Sequence, residues 1–156
     1  MVCGKREEQG FTLVEVMAVV VILAVLAAVA IPKLTSSTET ARINADIATG
    51  HEVKMALDRY QVENGVYPTL VEMTVSNGAI TNSDFIPKYI SKLDKSTTQQ
   101  RSADERKGFG VAELPAGGSL PPPTNLIMIY LTDDGSGAEV YTYNSDLSQV
   151  LWTSAD

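Results

Sequence analysis

A run of 21 residues near the start of the chain, from Phe11 to Ile31, contains one charged side chain, Glu15. A helix of that length rises about 31 Å, which is enough to cross a bilayer core of about 30 Å. A carboxylate inside such a segment costs about 2.5–3.5 kcal/mol on insertion scales. We therefore treat Glu15 as a candidate functional residue and look in the rest of the sequence for a positive charge that could pair with it.

The ten residues before this run are polar and include Lys5 and Arg6. A secretory signal peptide places its apolar stretch before the cleavage site, whereas here the apolar stretch follows Gly10. A cut after Gly10 would leave the apolar run on the mature protein and create an α-amino group on Phe11. That amine would be the only positive charge in the run, four residues from Glu15.

This arrangement resembles the prepilin signature of type IV pilins and of the pseudopilins of type II secretion. The matching residues are Gly10, Phe11-Thr12-Leu13, Glu15 at the fifth mature position and Pro32 at the twenty-second. The resemblance implies that a membrane-embedded prepilin peptidase cuts after Gly10 and methylates the new amine. Methylation leaves the positive charge of that amine in place.

Other interpretations of the same residues stay open at this stage. Thr12 and Glu15 also fit a capping box, in which two side chains satisfy free N–H groups at a helix start. Glu15 would then be a cap on an uncleaved signal anchor, with Lys5 and Arg6 in the cytoplasm. A buried core helix of a soluble protein fits less well, because the residues from 16 to 31 are uninterrupted apolar sequence.

Helical patterning continues after Pro32. Residues 33–62 alternate apolar and small residues with charged ones, which predicts an amphipathic helix with a small-residue face. Asn64-Gly65 supplies a left-handed stop, and Pro68 prevents the helix from resuming. Pro32 predicts a kink or local unwinding, either as the residue at the membrane exit or, by the resemblance to pilins, in a segment that extends in a fibre.

A second motif lies at the end of the predicted helix. It resembles the helix end of the major pseudopilins and related pilins, which typically have Ala-Leu-x-x-Tyr before an acidic-Asn-Gly-x-Tyr-Pro turn. The matching residues are Ala56, Leu57, Tyr60, Glu63, Asn64, Gly65, Tyr67 and Pro68. We expect the two tyrosines to pack the helix end against the rest of the protein.

The remainder of the chain predicts loops followed by strands. Residues 83–90 suggest a short helix or turn with inward apolar side chains, residues 96–107 a mobile polar segment, and residues 115–123 a break rich in Pro and Gly. Strands are predicted at 125–132, 138–143 and 147–153, with another near 108–114, as a three- or four-stranded meander.

These elements predict an α+β fold in which a long N-terminal α-helix, apolar then amphipathic, packs on a small C-terminal antiparallel β-sheet. The predicted divisions are a cleaved leader at 1–10, a membrane or filament-core helix at 11–32, an amphipathic helix half at 33–64 and a globular head at 65–156.

Composition narrows the classes of function. The net charge is −7 and stays so without the leader, which disfavours nucleic-acid binding by this subunit alone. The sole cysteine, Cys3, would leave with the leader, so no disulfide or cysteine metal site is expected. No catalytic motif is present, and His51 is expected at the surface, so we do not predict an enzyme.

Charge is also unevenly spread. Residues 88–107 contain six Lys or Arg against three Asp or Glu, and residues 108–156 contain six acidic residues and no basic one. The pattern fits ordinary solvated surface, or a basic loop that faces the acidic sheet of a neighbouring copy. We expect no cofactor; Asp133, Asp134 and Asp146 are candidate Ca²⁺ ligands, although turn chemistry alone explains the Asp-Asp-Gly-Ser-Gly sequence.

The resemblance implies a structural subunit of a type IV pilus-like filament, polymerised through its N-terminal helix after cleavage, with Phe11, Glu15 and Pro32 in assembly. The alternatives are a major pseudopilin of a type II secretion system, towards which the helix-end motif leans, and a membrane-anchored binding domain that never polymerises. The implied partners are membrane lipid before assembly, other copies of the chain, the prepilin peptidase, an assembly ATPase, a membrane platform protein and minor pilins. The implied location is the cytoplasmic (inner) membrane, followed by an extracellular or periplasm-spanning filament.

Overall fold

The first element is one long helix. The structure, a computed structural model, describes residues 11–82, 84–117 and 119–155, so the leader and Gly10 lie outside the described residues. Helix α1 runs from Leu13 to Asn64 and contains Pro32 without a break in its assignment, so the local unwinding expected at Pro32 is not seen. Gly65, with φ of +85°, ends the helix as predicted, and its N–H donates to the carbonyl of Gln61.

The first part of α1 presents its apolar side chains to the outside. Every residue from Leu13 to Leu34 is exposed, and Val16 and Val19, the most covered of the large apolar side chains, remain 50% exposed. This stretch has a mean hydropathy of 3.0 over its best 18-residue window, with none of that window buried. By length and composition it is able to cross a membrane.

Residues 39–156 form a separate compact unit, which we call the globular unit. Its core is built by the second part of α1 and one face of a sheet. The helix contributes Val53, Ala56, Leu57 and Tyr60, and the sheet contributes Phe109, Ile127, Ile129, Leu131 and Val140. Phe85 and Tyr89 complete this core from the 84–90 segment, which confirms the prediction that its apolar side chains point inward.

The sheet has four strands in the order β3-β4-β5-β6. Their bounds are β3 Phe109–Glu113, β4 Ile127–Leu131, β5 Ala138–Tyr143 and β6 Val150–Thr153. The α+β fold class is thus confirmed, but one pairing differs from the predicted meander. Strand β3 runs parallel to β4, with Phe109 beside Ile127 and Glu113 beside Leu131, so the sheet is mixed. The 13 residues between these strands allow a parallel crossover, which needs about a dozen.

A two-stranded hairpin was not predicted. Strands β1 (Thr74–Ser76) and β2 (Ala79–Thr81) pair antiparallel around Asn77 and Gly78, which both have positive φ, 49° and 71°. The hairpin is fixed to the sheet because the N–H of Phe109 donates to the carbonyl of Gly78 at 2.9 Å. A Cβ on Gly78 would lie 2.3 Å from the carbonyl oxygen of Lys107, so this close approach requires glycine.

The opposite face of the sheet is covered by the Pro-rich segment rather than by a helix. Met128, Tyr130 and Tyr143 are buried there with Leu114 and Leu120 packed against them. The Tyr130 hydroxyl donates to the carbonyl of Pro121 at 3.0 Å. Leu120 and Pro121, within the predicted break, therefore help to cover a second, smaller core.

Candidate assembly site

The start of α1 is closed by the Thr12 and Glu15 side chains. The backbone N–H and the hydroxyl of Thr12 both donate to Glu15 Oε2, at 2.9 and 2.7 Å, while the N–H of Glu15 reaches the Thr12 hydroxyl at 3.3 Å. This is the capping box that the sequence allowed. Phe11 precedes it with 84% of its surface exposed. The structure thus brings Phe11 and Glu15 to the same exposed end of the helix, and Glu15 is held by its own chain.

Asp46 holds a loop segment on the helix, and the sequence does not indicate this structural role. It lies on the second part of α1 with no exposed surface, and its carboxylate accepts hydrogen bonds from the backbone N–H groups of Gln99 and Gln100 at 2.6 and 3.1 Å. Burial raises the pKa of Asp46 above its usual value, against the opposing effect of these two hydrogen bonds. One turn earlier, Arg42 Nη1 donates to the carbonyl of Gln99 at 2.8 Å.

These contacts correct the prediction that residues 96–107 are mobile. Arg42 and Asp46 hold the peptide at Gln99 from both its carbonyl and its N–H sides. Within the segment Thr98 and Gln100 are buried, and the Gln100 side chain donates to the carbonyl of Tyr143 at 2.9 Å. Polar groups of the segment therefore form hydrogen bonds with the helix and the sheet instead of with water alone.

The small-residue face of α1 meets strands β5 and β6 at Gly50. A Cβ at Gly50 would lie 2.6 Å from the Thr142 hydroxyl and 3.1 Å from the Trp152 ring. His51 is exposed, as predicted, and its ring centre lies 4.0 Å from that of Trp152. The chain's single tryptophan is thereby packed on the helix at a glycine.

The helix-end motif makes the contacts expected of its tyrosines. Tyr60 packs edge-on against Phe85 and Tyr89, with ring centres 6.0 and 5.3 Å away. The Tyr89 hydroxyl donates to Glu63 at 2.6 Å, and Asn64 Nδ2 donates back to the carbonyl of Tyr60.

Past the helix end, the Tyr67 hydroxyl donates to Asp58 at 2.8 Å. The Tyr67 N–H donates to the carbonyl of Gly135 at 2.8 Å, which anchors the β4–β5 turn to the chain beyond the helix.

The candidate Ca²⁺ ligands lie on two separate turns. Asp133 and Asp134 precede β5, whereas Asp146 follows it, so the whole six-residue strand separates them. The carboxylate of Asp134 accepts hydrogen bonds from the N–H and hydroxyl of Ser136, and these lower the pKa of Asp134 to about 2. Among the described residues no group of three His, Cys, Asp or Glu is arranged to hold a metal ion. The expected lack of a cofactor stays a prediction, as does the alternative of Ca²⁺ at these residues, which lie on turns at opposite ends of β5.

Comparison with known proteins places the N-terminal part of the chain in a recognisable class. Residues 5–31 match the prokaryotic N-terminal methylation motif, and this stretch includes Gly10, Phe11 and Glu15. The chain therefore carries the motif of the prepilin-type proteins that its sequence resembles, on an α+β fold with one long N-terminal helix.

The relatives belong to the two predicted groups. The chain is 38% identical over 65 residues to the type II secretion system core protein G of Pseudomonas aeruginosa, covering 42% of this chain and 46% of that protein. It is 44% identical over 64 residues to the core protein G of Vibrio cholerae, covering 41% and 44%. It is 30% identical over 122 residues to the type IV major pilin protein PilE1 of Neisseria gonorrhoeae, covering 65% and 57%.

The chain thus spans about half the length of the curated relatives it matches. No solved structure matches it significantly. The predicted resemblance to type IV pilins and type II secretion pseudopilins is confirmed.

Proposed function

We propose that this chain, cut between Gly10 and Phe11, is a structural, non-enzymatic subunit that polymerises into a pilus-like filament through the first part of α1. One observation carries the proposal: the apolar side chains of α1 up to Leu34 are exposed, on a helix that begins within a methylation motif. In a membrane, lipid covers this surface before assembly. Outside it, contact with water would cost about 25 cal/mol per Å² of apolar area, which packing against identical helices removes.

Glu15 supplies a register for that packing. The α-amino group of Phe11 on an adjacent copy carries a positive charge, which is opposite to that of Glu15, and it lies at the same end of the helix. At an effective dielectric near 20, two charges 4 Å apart attract by about 4 kcal/mol, which offsets much of the cost of burying them. The contact joins two different patches, so repetition gives an open fibre rather than a closed ring.

The capping box leaves this role intact. Both hydrogen bonds from Thr12 end on the same carboxylate oxygen, Glu15 Oε2, and the side chain is exposed in the single chain. The box orients the carboxylate beside the chain start, where an incoming amine reaches it. Methylation of that amine keeps its positive charge. The amine that processing creates is therefore still able to pair with Glu15 during assembly.

The processing and assembly partners follow from this role. They are a prepilin peptidase acting at Gly10 and Phe11, an assembly ATPase, a membrane platform protein and minor pilins. The precursor would lie in the cytoplasmic (inner) membrane as a single-pass protein, and the product in an extracellular or periplasm-spanning filament.

A secretion pseudopilus is the second candidate, because the identity to core protein G, 38–44%, exceeds the 30% identity to PilE1, though over a shorter stretch. Electron microscopy of native cells labelled with antibody to residues 88–156 separates the two. Long surface fibres labelled along their length indicate a pilin. Fibres that appear only on overexpression, together with loss of exported proteins on deletion, indicate a pseudopilin. Labelled membrane without fibres under either condition contradicts the proposal and favours the non-polymerising anchored domain.

A further inference from the structure

The globular unit has one end with an excess of positive charge and one with an excess of negative charge. The parallel pairing of β3 with β4 is the cause, because it places the segments before both strands at one end of the sheet and the segments after them at the other. Arg101, Arg106 and Lys107 precede β3, whereas Glu113 ends it and Asp133 and Asp134 follow β4. We call these two groups the basic end and the acidic end.

The basic end is assembled by contacts between three segments. The N–H of Leu126, just before β4, donates to the carbonyl of Arg106 at 2.8 Å, and the Ser102 hydroxyl donates to the carbonyl of Ser145 in the β5–β6 turn at 2.6 Å. Arg101 and Arg106 are exposed, and neither side chain forms an ion pair within the described part of the chain.

Other charges at this end are partly neutralised. Asp104 pairs with Lys95 at 2.6 Å, whereas the hydrogen bonds that Asp146 accepts from Ser148 leave its negative charge in place. Glu105 is exposed and unpaired among the described residues. The three cations of the basic end therefore face two uncompensated carboxylates, those of Glu105 and Asp146, and an excess of positive charge remains.

The acidic end has a larger excess of one charge than the basic end has. Glu113, Asp133 and Asp134 are all exposed and line one surface pocket of about 250 Å³. The sequence from 108 onward contains no Lys or Arg to offset them. The helix cation Lys54 is paired with Asp58, and Asp58 also accepts a hydrogen bond from Tyr67, whose N–H is bonded to the same β4–β5 turn.

The two ends are too far apart to neutralise each other within one molecule. The basic end adjoins Gln99 and Gln100, which are held by Asp46, and the acidic end adjoins Gly135, which is bonded to Tyr67 just past Asn64. From Lys107 to Glu113 the extended chain of β3 covers about 20 Å, more than twice the Debye length of about 8 Å at physiological ionic strength.

We infer that the acidic end of one copy docks on the basic end of the next, so that the globular units stack head to tail. The occupant of each surface is a second copy of this chain, because the two charge patterns are complementary and lie at opposite ends of the same unit. Such a contact is heterologous and propagates without closing, as a fibre requires. This inference rests on the proposed filament function and adds the surfaces through which the globular units meet.

Reversing the charges of selected residues at the two ends, in the full chain and in its native cells, tests whether opposite charges at the two ends are needed for assembly. The basic-end variant is Arg101→Glu with Arg106→Glu, the acidic-end variant is Glu113→Lys with Asp133→Lys, and a third chain combines all four substitutions. We expect each single-end variant to lose sheared filaments and the combined chain to regain them, since it restores complementarity with the ends exchanged. Filament yields that are equal in all four chains, or a combined chain as poor as its parents, would overturn the inference.

Two controls protect this result. Glu52→Lys changes charge at an exposed helix position outside both ends and should leave yield unchanged. Thermal unfolding of each detergent-solubilised chain identifies any variant that fails by misfolding.

Cysteine cross-linking tests the geometry. The processed chain is expected to lack cysteine, so Ala103→Cys at the basic end and Ala116→Cys in the acidic pocket would be its only thiols. Head-to-tail docking predicts a ladder of dimers, trimers and larger species from the double variant on oxidation, and no dimer from either single variant. Dimers from a single variant, or no ladder from cells that do carry filaments, would overturn the docking alone. Absence of filaments from the unmodified chain would remove the proposed function and, with it, this inference.

Discussion

The buried carboxylate of Asp46 accepts a 2.6 Å hydrogen bond from the backbone N–H of Gln99, 53 residues later in the chain. A second bond, from Gln100 at 3.1 Å, ends on the other oxygen of the same carboxylate. A single side chain on the helix thereby fixes the segment that leads to the basic end of the globular unit.

Asp46→Ala should destabilise the globular unit. It leaves the N–H groups of Gln99 and Gln100 without their acceptor, and an unsatisfied buried group such as that of Gln100 costs about 1–3 kcal/mol. Denaturant unfolding of the detergent-solubilised chain, followed by the fluorescence of Trp152, measures the loss. Asn44→Ala, at an exposed position half a turn away, is the matched control and should change the free energy of unfolding little. Equal stability of the two variants would show that the Asp46 contacts are not needed.

The ionisation of Asp46 should make the stability fall as pH rises. Its folded pKa is raised above 3.8, so between these two values the folded state binds more protons than the unfolded state. The stability that wild type has over Asp46→Ala should therefore decrease as pH rises from about 3.8 through the folded pKa and then stay constant.

Asp134 gives the opposite sign as a control. Its pKa is lowered to about 2, so its contribution should be lost as pH falls from 3.8 towards 2. Unfolding curves of wild type, Asp46→Ala and Asp134→Ala, measured from about pH 2 to above the folded pKa of Asp46, compare the two slopes. The same direction for both residues would refute the assignment.

Glu15→Gln separates the charge of Glu15 from its capping. Glutamine still completes a capping box with Thr12 but cannot pair with an amine as an anion. We expect Glu15→Gln and Glu15→Ala both to block filament formation while leaving membrane insertion and cleavage largely intact. Sheared filaments and membrane fractions are measured by immunoblot, with Glu52→Gln as control. Normal filaments from Glu15→Gln would mean that capping, and not charge pairing, is what assembly requires.

Gly50→Ala should destabilise the chain although alanine is the better helix former. The substitution ordinarily gains about 0.5–1 kcal/mol in a helix interior. Here the new methyl group would lie 2.6 Å from the Thr142 hydroxyl and 3.1 Å from the Trp152 ring, and overpacking of this kind costs about 1–3 kcal/mol. Denaturant unfolding measures the balance, and Thr142→Ala in the same chain should recover part of the loss. A more stable Gly50→Ala chain would contradict the close packing of Trp152 on α1.

The helix and most of the sheet could be predicted because their signals are local. Apolar composition predicts the first part of α1, and Asn64-Gly65 predicts its end. In β5 the residues alternate, which predicts that Val140 and Thr142 lie on one face of the strand and Tyr141 and Tyr143 on the other. The structure confirms this, because Val140 belongs to the larger core and Tyr143 to the smaller core on the opposite face of the sheet. Each of these signals lies within a few residues of the feature that it predicts.

The features that were missed depend on contacts distant in sequence, with one exception. Nothing around Asp46 indicates that Gln99 and Gln100 return to it, and an aspartate on an amphipathic helix ordinarily faces water. The parallel pairing of β3 with β4 could not be predicted, because the 13 residues between the strands are long enough for either direction. The exception is the β1–β2 hairpin, because Asn77-Gly78 between two β-prone triplets is a standard two-residue turn signal.

The claim that the first part of α1 polymerises after processing is tested most directly by the intact mass of the subunit in filaments sheared from native cells. We expect a chain that begins at a methylated Phe11, recovered in the sedimented fibres and absent from them in the Glu15→Ala strain. A chain that keeps its leader, or one found only in detergent extracts of the membrane with no fibre fraction, would contradict it.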